Sequence, residues 1–333
     1  MRSFITGATG YIGLNLAHRL AENGEQVHAL CYEAELAHLF DHPNITVYHG
    51  SILDPGSLAR AMEGCTQVYH LAGYARKWAK SPRLFFEVNV QGTLNVLETA
   101  IAAGVQRVVV TSTAGVFGPS GDGVVTEESA RSVPFFYAYE SSKFEAERKV
   151  HGFVKAGLDV VIVNPTRVYG PGLLSESNAG TKVMKDYVAG KWHFIPGNGR
   201  RVGNYVYIDD VVQGHILAME RGTKGEKYIL GGTNASYNEF FDLLKELSRK
   251  RFWMRKVPVW LMLFLSKIQS GIARIFGKSP VAPPYLVRKF TYDWRLSSDK
   301  ARRDLGYRIT PLREGMRQTL EWLQGAEQVV VED

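Results

Sequence analysis

The sequence predicts an α/β protein built on a doubly wound parallel sheet, and three observations carry that reading. A short apolar run, Ser3-Phe4-Ile5-Thr6, leads into Gly7-Ala8-Thr9-Gly10-Tyr11-Ile12-Gly13 and then into a helical pattern with Ile12, Leu16 and Leu20 on one side before Gly24. Further β-branched runs at Gln26 to Cys31, Gln67 to Leu71, Arg107 to Thr111 and Leu158 to Val163 alternate with helical segments, among them 83–103 and 137–156, as successive strand–helix–strand units require. Tyr139 and Lys143 stand four residues apart on the second of these helices, so a phenol and an ammonium share one face.

The first element pair is a candidate anion site. A strand, a glycine turn and a helix N-terminus in that order aim backbone N–H groups and the positive end of the helix dipole at a pyrophosphate. Gly7, Thr9, Gly10, Tyr11, Ile12 and Gly13 are therefore expected to bind a dinucleotide. The spacing is Gly-x-x-Gly-x-x-Gly rather than Gly-x-Gly-x-x-Gly, and glycines also serve turns that bind nothing. Correct elements on both sides favour the ligand site.

The Tyr/Lys pair is the candidate catalytic element. An ammonium held beside a tyrosine favours the phenolate, drawing a pKa of about 10 toward the range of a general acid or base. That is the chemistry of moving a proton on and off a carbinol oxygen. The same spacing is common on solvated helix faces, and it gains weight here from the glycine turn upstream.

Composition excludes several other classes. The chain has 333 residues, 45% hydrophobic and 22% charged, enough for one large domain and a smaller one. Its formal charge is +7, but the basic residues are dispersed, clustering only at Arg200-Arg201, Arg249-Lys250-Arg251 and Arg302-Arg303, so a solvated surface is expected and no nucleic-acid partner. The nine histidines form no His-Glu-x-x-His, Gly277-Lys278-Ser279 has Ile272 where a phosphate-binding loop needs glycine, and no Gly-x-Ser-x-Gly occurs. No metal is expected. Cys31 and Cys65 have no metal-ligand spacing and suit a reducing compartment. No signal peptide precedes the first strand, and no apolar run approaches the ~18 residues of a membrane span. The expectation is a cytoplasmic protein.

Beyond the glycine run and the Tyr/Lys pair stand His70-Leu71-Ala72-Gly73, Asn89-Val90-Gln91-Gly92-Thr93, Thr111-Ser112-Thr113-Ala114, Asn164-Pro165-Thr166-Arg167-Val168-Tyr169-Gly170 and Tyr207-Ile208-Asp209-Asp210-Val211. With these seven ordered stretches the chain, over nearly its whole length, resembles the extended short-chain dehydrogenases/reductases, the NAD-dependent epimerase/dehydratase family. Within that family it is similar to the branch of dihydroflavonol reductases and 3β-hydroxysteroid dehydrogenases. The resemblance implies a Rossmann-type domain at 1–172 and 203–232 and a smaller, mostly helical C-terminal substrate domain at 173–202 and 233–333. It also implies a homodimer formed through the helices at 83–103 and 137–156.

The site residues follow from the same resemblance. Tyr139 would exchange the proton with the substrate oxygen, while Lys143 lowers its pKa and bonds the nicotinamide ribose. Thr113 would hold the carbonyl oxygen, with Ser112 as the competing hydroxyl. Asn89 would anchor a water relay or cap its helix. The NAD(P) site would add Tyr32, Ser51, Ile52, Leu71, Ala72, Gly73, Pro165 and Val168 to the glycine turn. NAD is favoured over NADP, because no Lys or Arg lies between Arg19 and Arg60 to meet a 2′-phosphate. Cys31 stands where an aspartate is usual, so Glu33 would have to reach the ribose.

The expected activity is reversible ketone/alcohol oxidoreduction on a hydrophobic small molecule. Gly203 and Asn204 occupy the places where relatives acting on sugar nucleotides carry an arginine and an aspartate, although Arg200 or Arg201 could substitute. The alternatives are a sugar-nucleotide epimerase or dehydratase and a non-catalytic NAD(P)-binding regulator. Trp78 and Phe85-Phe86 are expected near an apolar pocket, with Trp253, Trp260 and Phe264 in support. The stretch from Val257 to Phe276 reads as a buried helix, a lid over the substrate or a helix in peripheral contact with a membrane, and is expected to border the substrate site.

Overall fold

The computed structural model describes residues 1–276 and 278–325, with only the backbone of Glu176. Gly277 and the last eight residues expected in the substrate domain lie outside the described residues. Strand β1 (Arg2–Thr6) is followed by α1 (Tyr11–Glu22), β2 (Gln26–Cys31), β3 (Ile45–His49), α2 (Pro55–Met62) and β4 (Gln67–His70). Helices α3 (Arg83–Phe86) and α4 (Gly92–Ala102) precede β5 (Arg107–Thr111), and α5 (Ala138–Lys155) precedes β6 (Val160–Pro165). The chain continues through β7 (Arg167–Tyr169), α6 (Ala179–Val188), β8 (Phe194–Pro196), β9 (Val202–Tyr207), α7 (Ile208–Arg221), β10 (Lys227–Leu230), β11 (Thr233–Ser236) and α8 (Tyr237–Ser248). It ends in β12 (Arg255–Val257), α9 (Val259–Ile275), α10 (Pro284–Arg288), α11 (Asp299–Leu305) and α12 (Leu312–Gly325).

Seven strands form one sheet in the order β10-β6-β5-β4-β1-β2-β3, every neighbouring pair parallel. A parallel sheet needs apolar cover on both faces, and the alternation of side chains supplies it. Phe4, Val108, Val110, Val160 and Ile162 enter one apolar cluster, while Ile5, Val109, Val161 and Val163 enter the other, with Leu16 and Leu20 of α1. The order reverses between β1 and β4, which opens a crevice at their carboxyl ends.

One feature differs from the sequence reading. The helix expected over 83–103 is broken by a π turn at Glu87–Gln91, whose extra residue per turn re-aims Asn89 into the protein. Strand β9 does not extend the large sheet: it runs antiparallel to β11 and parallel to β7 in a separate three-stranded sheet. The remainder of 203–232 supplies α7 and β10, the latter at the edge of the large sheet.

The turn after β1 is set by close backbone packing. Gly7 has φ +67, a conformation open chiefly to glycine, and a Cβ on Gly13 would stand 2.1 Å from the Gly7 carbonyl oxygen. Gly13→Ala is therefore expected to cost about 1–3 kcal/mol through overpacking. Gly152→Ala, on the exposed side of α5 with nothing within 4 Å of the added carbon, is expected to gain about 0.5–1 kcal/mol. Thermal unfolding of the two variants reads both signs, and an unchanged midpoint for Gly13→Ala would show that the turn yields.

Candidate active site

A cavity of about 710 Å³ opens where the sheet order reverses, between the turn after β1 and the loop after β4. Its volume is that of a cofactor or drug-sized ligand site. Gly7, Thr9, Gly10, Tyr11, Ile12, Gly13, Tyr32, Ser51, Ile52, Leu71, Ala72, Gly73, Pro165 and Val168 all line it, together with Ser112, Thr113, Tyr139 and Lys143. The structure thus brings these catalytic and cofactor-binding candidates to one cavity, from strand ends far apart in the chain.

The donor set at one end fits a pyrophosphate. Helix α1 begins at Gly10 with no side-chain cap and no acidic residue in its first turn, so its first N–H groups have no intrahelical partner. The Gly7 turn is held by Gly10 N–H to Gly7 O at 3.0 Å and by the approach of the Leu71-Ala72 backbone, where a Cβ on Gly7 would lie 2.5 Å from Ala72 N. Tyr11 gives its hydroxyl to Gly170 O at 3.0 Å, which leaves its backbone for the cavity. His70, buried between the Thr6 and Thr93 hydroxyls, is pushed down to about 3 by burial and stays neutral. It steadies Thr6, whose hydroxyl accepts from Ala72 N–H at 3.2 Å. These residues fit NAD(P), whose phosphates would take the α1 amides.

At the other end lie the acid–base candidates. Tyr139 and Lys143 occupy one face of α5, and the Thr113 hydroxyl hydrogen-bonds the phenol. Thr113 also accepts from Gly115 N–H at 3.1 Å, while Ser112 Oγ is buried without a hydrogen-bond partner. Both hydroxyls face the same cavity, Thr113 with hydrogen-bond partners and Ser112 with none in the protein. The electrostatics correct the sequence reading. Burial pushes the Tyr139 phenol up to about 12, against the Thr113 hydrogen bond and with the Glu140 carboxylate adding to the rise. Lys143 is drawn down to about 8 by burial, with the Glu147 carboxylate opposing. Its ammonium reaches toward Gly73, 3.4 Å from where a Cβ there would stand. Desolvation therefore outweighs the attraction that was expected to lower the tyrosine.

Buried polar side chains hold these groups in place, Asn89 among those the sequence singled out and Asn164, Glu140 and Glu147 not assigned a role there. Asn89 does not cap a helix: its Oδ1 accepts from Tyr74 N–H at 2.6 Å and its Nδ2 donates to Ser142 Oγ at 2.9 Å, tying the loop after β4 to α5. Asn164 donates to Thr113 O at 3.1 Å and to Glu147 Oε1 at 2.7 Å. The Glu140 carboxylate is buried between Arg131 at 2.8 Å and Lys289 at 2.6 Å. Glu147, four residues past Lys143, was visible in the helical spacing. Glu140 was not, because its partners come from a loop and from the C-terminal region.

An aromatic cluster packs beside Tyr139, behind a cavity lining that includes Tyr74 but not Phe85, Tyr137 or Tyr285. Tyr137 lies 5.7 Å from the Tyr139 ring and stacks on Tyr285 at 4.7 Å, and Phe85 packs edge-on against Tyr74 at 4.9 Å and Tyr137 at 6.3 Å. Phe86 is exposed, and Trp78 is half-buried, with its carbonyl taken by Tyr74 OH. Neither lines the cavity. Trp253, Trp260 and Phe264 are exposed rather than pocket-forming, and no residue of 257–276 lines the cavity. Arg201 pairs with Asp293 at 3.1 Å and Arg200 also lies outside the lining, so neither replaces a diphosphate clamp there. A different cation stands beside Gly203. Arg167 Nη1 would be 2.7 Å from a Cβ at that position; it donates to Tyr237 OH at 2.8 Å and lies 5.8 and 5.5 Å from the Tyr205 and Tyr237 ring centres.

Comparison with known proteins agrees with this architecture. The NAD dependent epimerase/dehydratase family model matches residues 3–231. Sterol demethylase protein B of Methylococcus capsulatus is 30% identical over 97% of this chain and 98% of its own length. A 4-hydroxy-2-methyl-3-oxo-4-farnesyl-3,4-dihydroquinoline-1-oxide ketoreductase of Stigmatella aurantiaca is 28% identical over 92% of both chains. Among solved structures, DesIV of Streptomyces venezuelae, a dTDP-glucose 4,6-dehydratase crystallised with NAD, superposes with a TM-score of 0.79 at 26% identity, covering 98% of this chain and 97% of that one. With a family model spanning well over half of the chain and a relative at 30% identity along nearly all of it, this protein belongs to the NAD-dependent epimerase/dehydratase family.

Proposed function

We propose that the protein interconverts a ketone and a secondary alcohol on a hydrophobic small molecule, with NAD(P) bound across the carboxyl ends of β1, β2 and β4. The observation that carries this reading is the convergence of Tyr139, Thr113 and Lys143 on the cavity that also holds the α1 N-terminus. The ketoreductase relative, by its name, acts on a farnesylated substrate, and the aromatic wall of Tyr137, Tyr285 and Phe85 beside Tyr139 supports a comparable apolar substrate here. In this reading 1–172 with 203–232 hold the nucleotide and 173–202 with 233–333 hold the substrate. Both thiols are free and buried, which supports a reducing, cytoplasmic setting.

When bound, the nicotinamide supplies or accepts the hydride. The chain's share is to orient and to move a proton. The phenol of Tyr139, neutral throughout the physiological range, gives its proton to the carbonyl oxygen, and the Thr113 hydroxyl holds that oxygen. The Lys143 charge, present below about pH 8, stabilises the tyrosinate left behind. Ser142 Oγ, donating to Tyr139 O at 2.9 Å while accepting from Asn89, keeps the helix from shifting as charge develops. Proton transfer of this kind contributes about 10²–10⁴-fold.

Tyr139→Phe should lower kcat by about that factor with cofactor binding retained, and Thr113→Val by a smaller factor. Ser112→Ala should leave kcat within about threefold. Near-normal turnover in Tyr139→Phe removes the assignment. The pH profile is a second readout. In the reductive direction the competent enzyme carries protonated Tyr139 and charged Lys143, so kcat/KM should be level below about pH 8 and fall above it, and Lys143→Met should abolish that limb.

NAD is favoured over NADP. Past β2 the cavity presents Tyr32 and Glu33, and its cations among the described residues are Lys143 and Arg76, the latter on the loop after β4. A 2′-phosphate beside Glu33 would meet like charge. Comparing kcat/KM for the two cofactors decides the point, and a strong NADPH preference would overturn it.

A homodimer through α4 and α5 is also proposed, supported by the exposure of Ile101 on α4 and Phe144 on α5. Sedimentation velocity should show a dimer that Ile101→Glu with Phe144→Glu dissolves.

Arg167 beside Gly203 keeps a second reading alive, since a buried guanidinium can take a diphosphate, as in a sugar-nucleotide epimerase or dehydratase. A substrate panel of hydrophobic ketones and sugar nucleotides separates the two. Turnover of the latter alone would favour the second.

A further inference from the structure

Helix α9 leaves its apolar face uncovered. Of its 17 residues only Ser266 is buried, held by its hydroxyl to Ala282 O at 2.5 Å. Trp260, Phe264, Ile268 and Ile272 follow one another every four residues down a single face and are 70%, 57%, 47% and 52% exposed. Phe276 extends that surface past the helix end and Trp253 precedes it. A globular protein rarely shows water so continuous an apolar strip. At 1.5 Å per residue the strip runs about 25 Å.

The charge around it points to what covers it. From Arg249 to Tyr292 the chain carries ten Lys and Arg and no Asp or Glu. These ten exceed the formal charge of the whole chain, +7, so the remainder is net negative. Lys267 and Arg274 are exposed on α9 itself, and Arg255, whose guanidinium lies 4.8 Å from the Trp253 ring centre, stands beside it. A second copy of this face would bring two cationic segments together. A bilayer of anionic lipid offers both acyl chains for the strip and phosphates for its rim, and tryptophan favours the level of the headgroups. Among the described residues no helix is long and apolar enough to cross a membrane, so the contact is in the plane of the interface.

We propose that α9 with its flanks docks the protein on an anionic membrane surface. The position gives docking a use. Helix α9 packs on α10, whose Tyr285 stacks on Tyr137 beside Tyr139, so the bilayer would lie one helical layer from the aromatic cluster beside Tyr139. The proposal itself does not depend on the reaction assigned to that cavity.

Flotation of the full-length protein with vesicles reads it without any turnover. Phosphatidylcholine vesicles containing phosphatidylglycerol should carry the protein, salt should weaken the binding, and phosphatidylcholine alone should bind less. Combining Trp260→Ser, Phe264→Ser and Ile272→Ser should lower partitioning by roughly 100-fold or more, with thermal midpoint and NAD(H) binding unchanged. Lys267→Glu with Arg274→Glu is a second variant that keeps the strip and should remove the preference for anionic vesicles. Failure of the wild-type protein to float with anionic vesicles overturns the proposal, and so does undiminished flotation of the triple variant. A dimer in lipid-free solution that the triple variant dissolves would also overturn it, assigning the face to a second copy.

Discussion

The buried carboxylate of Glu140 is the constraint on which the site depends. It sits next to Tyr139 on α5, shut from water, and a lone charge there would be untenable. Arg131 from the loop before α5 and Lys289 from the segment after α10 both reach it. A buried pair of this kind costs more when one partner is lost than it contributes when whole, so it acts as a specification: the C-terminal segment must close against α5 at this point for the fold to be satisfied. Closing it brings Tyr285 onto Tyr137 and so builds the aromatic wall beside the phenol. Burial of Glu140 and the aromatic packing beside Tyr139 are thus one event.

The opposite end of the cavity obeys a different constraint, contact between backbones. The turn after β1 and the loop after β4 meet at Gly7 and Ala72 with no room for a side chain, and His70 braces that contact through Thr6. The result is a rigid floor of amides on one side of the sheet's reversal point and a buried acid–base pair on the other. Between these ends desolvation sets the chemistry: it holds the phenol protonated and makes the lysine's charge conditional on pH near 8. In the proposed reaction, charge on Lys143 would act strongly on a developing tyrosinate, because the same burial that weakens its proton also lowers the local dielectric.

Outside the cavity the balance of forces is reversed. The C-terminal region carries a cationic apolar helix on the protein's exterior, packed on α10, whose Tyr285 joins the aromatic cluster beside Tyr139. Apolar surface is costly to leave in water, and no residue of α9 belongs to the apolar clusters of the core.

The fold and the cavity were largely legible in the chain. Phe4 and Ile5, or Val108 and Val109, enter opposite apolar clusters because a strand alternates its side chains, and that alternation is written in the residue order. The glycine turn, Tyr139, Lys143, Thr113 and the residues at the ends of β2, β4 and β6 were likewise readable, since local spacing places each at a strand end or on a helix face. Other features depended on burial and on distant partners, which spacing does not encode. The direction of the Tyr139 shift, the π turn that aims Asn89 inward and the Arg131–Glu140–Lys289 bridge all belong here. So does the placement of α9, whose apolar residues read alike as core, lid or surface until the rest of the molecule packed without them. What the sequence by itself determined is periodicity and turn chemistry, because these act over a few residues. The tertiary structure alone decided which groups lost their water, because desolvation is a property of everything packed around a residue.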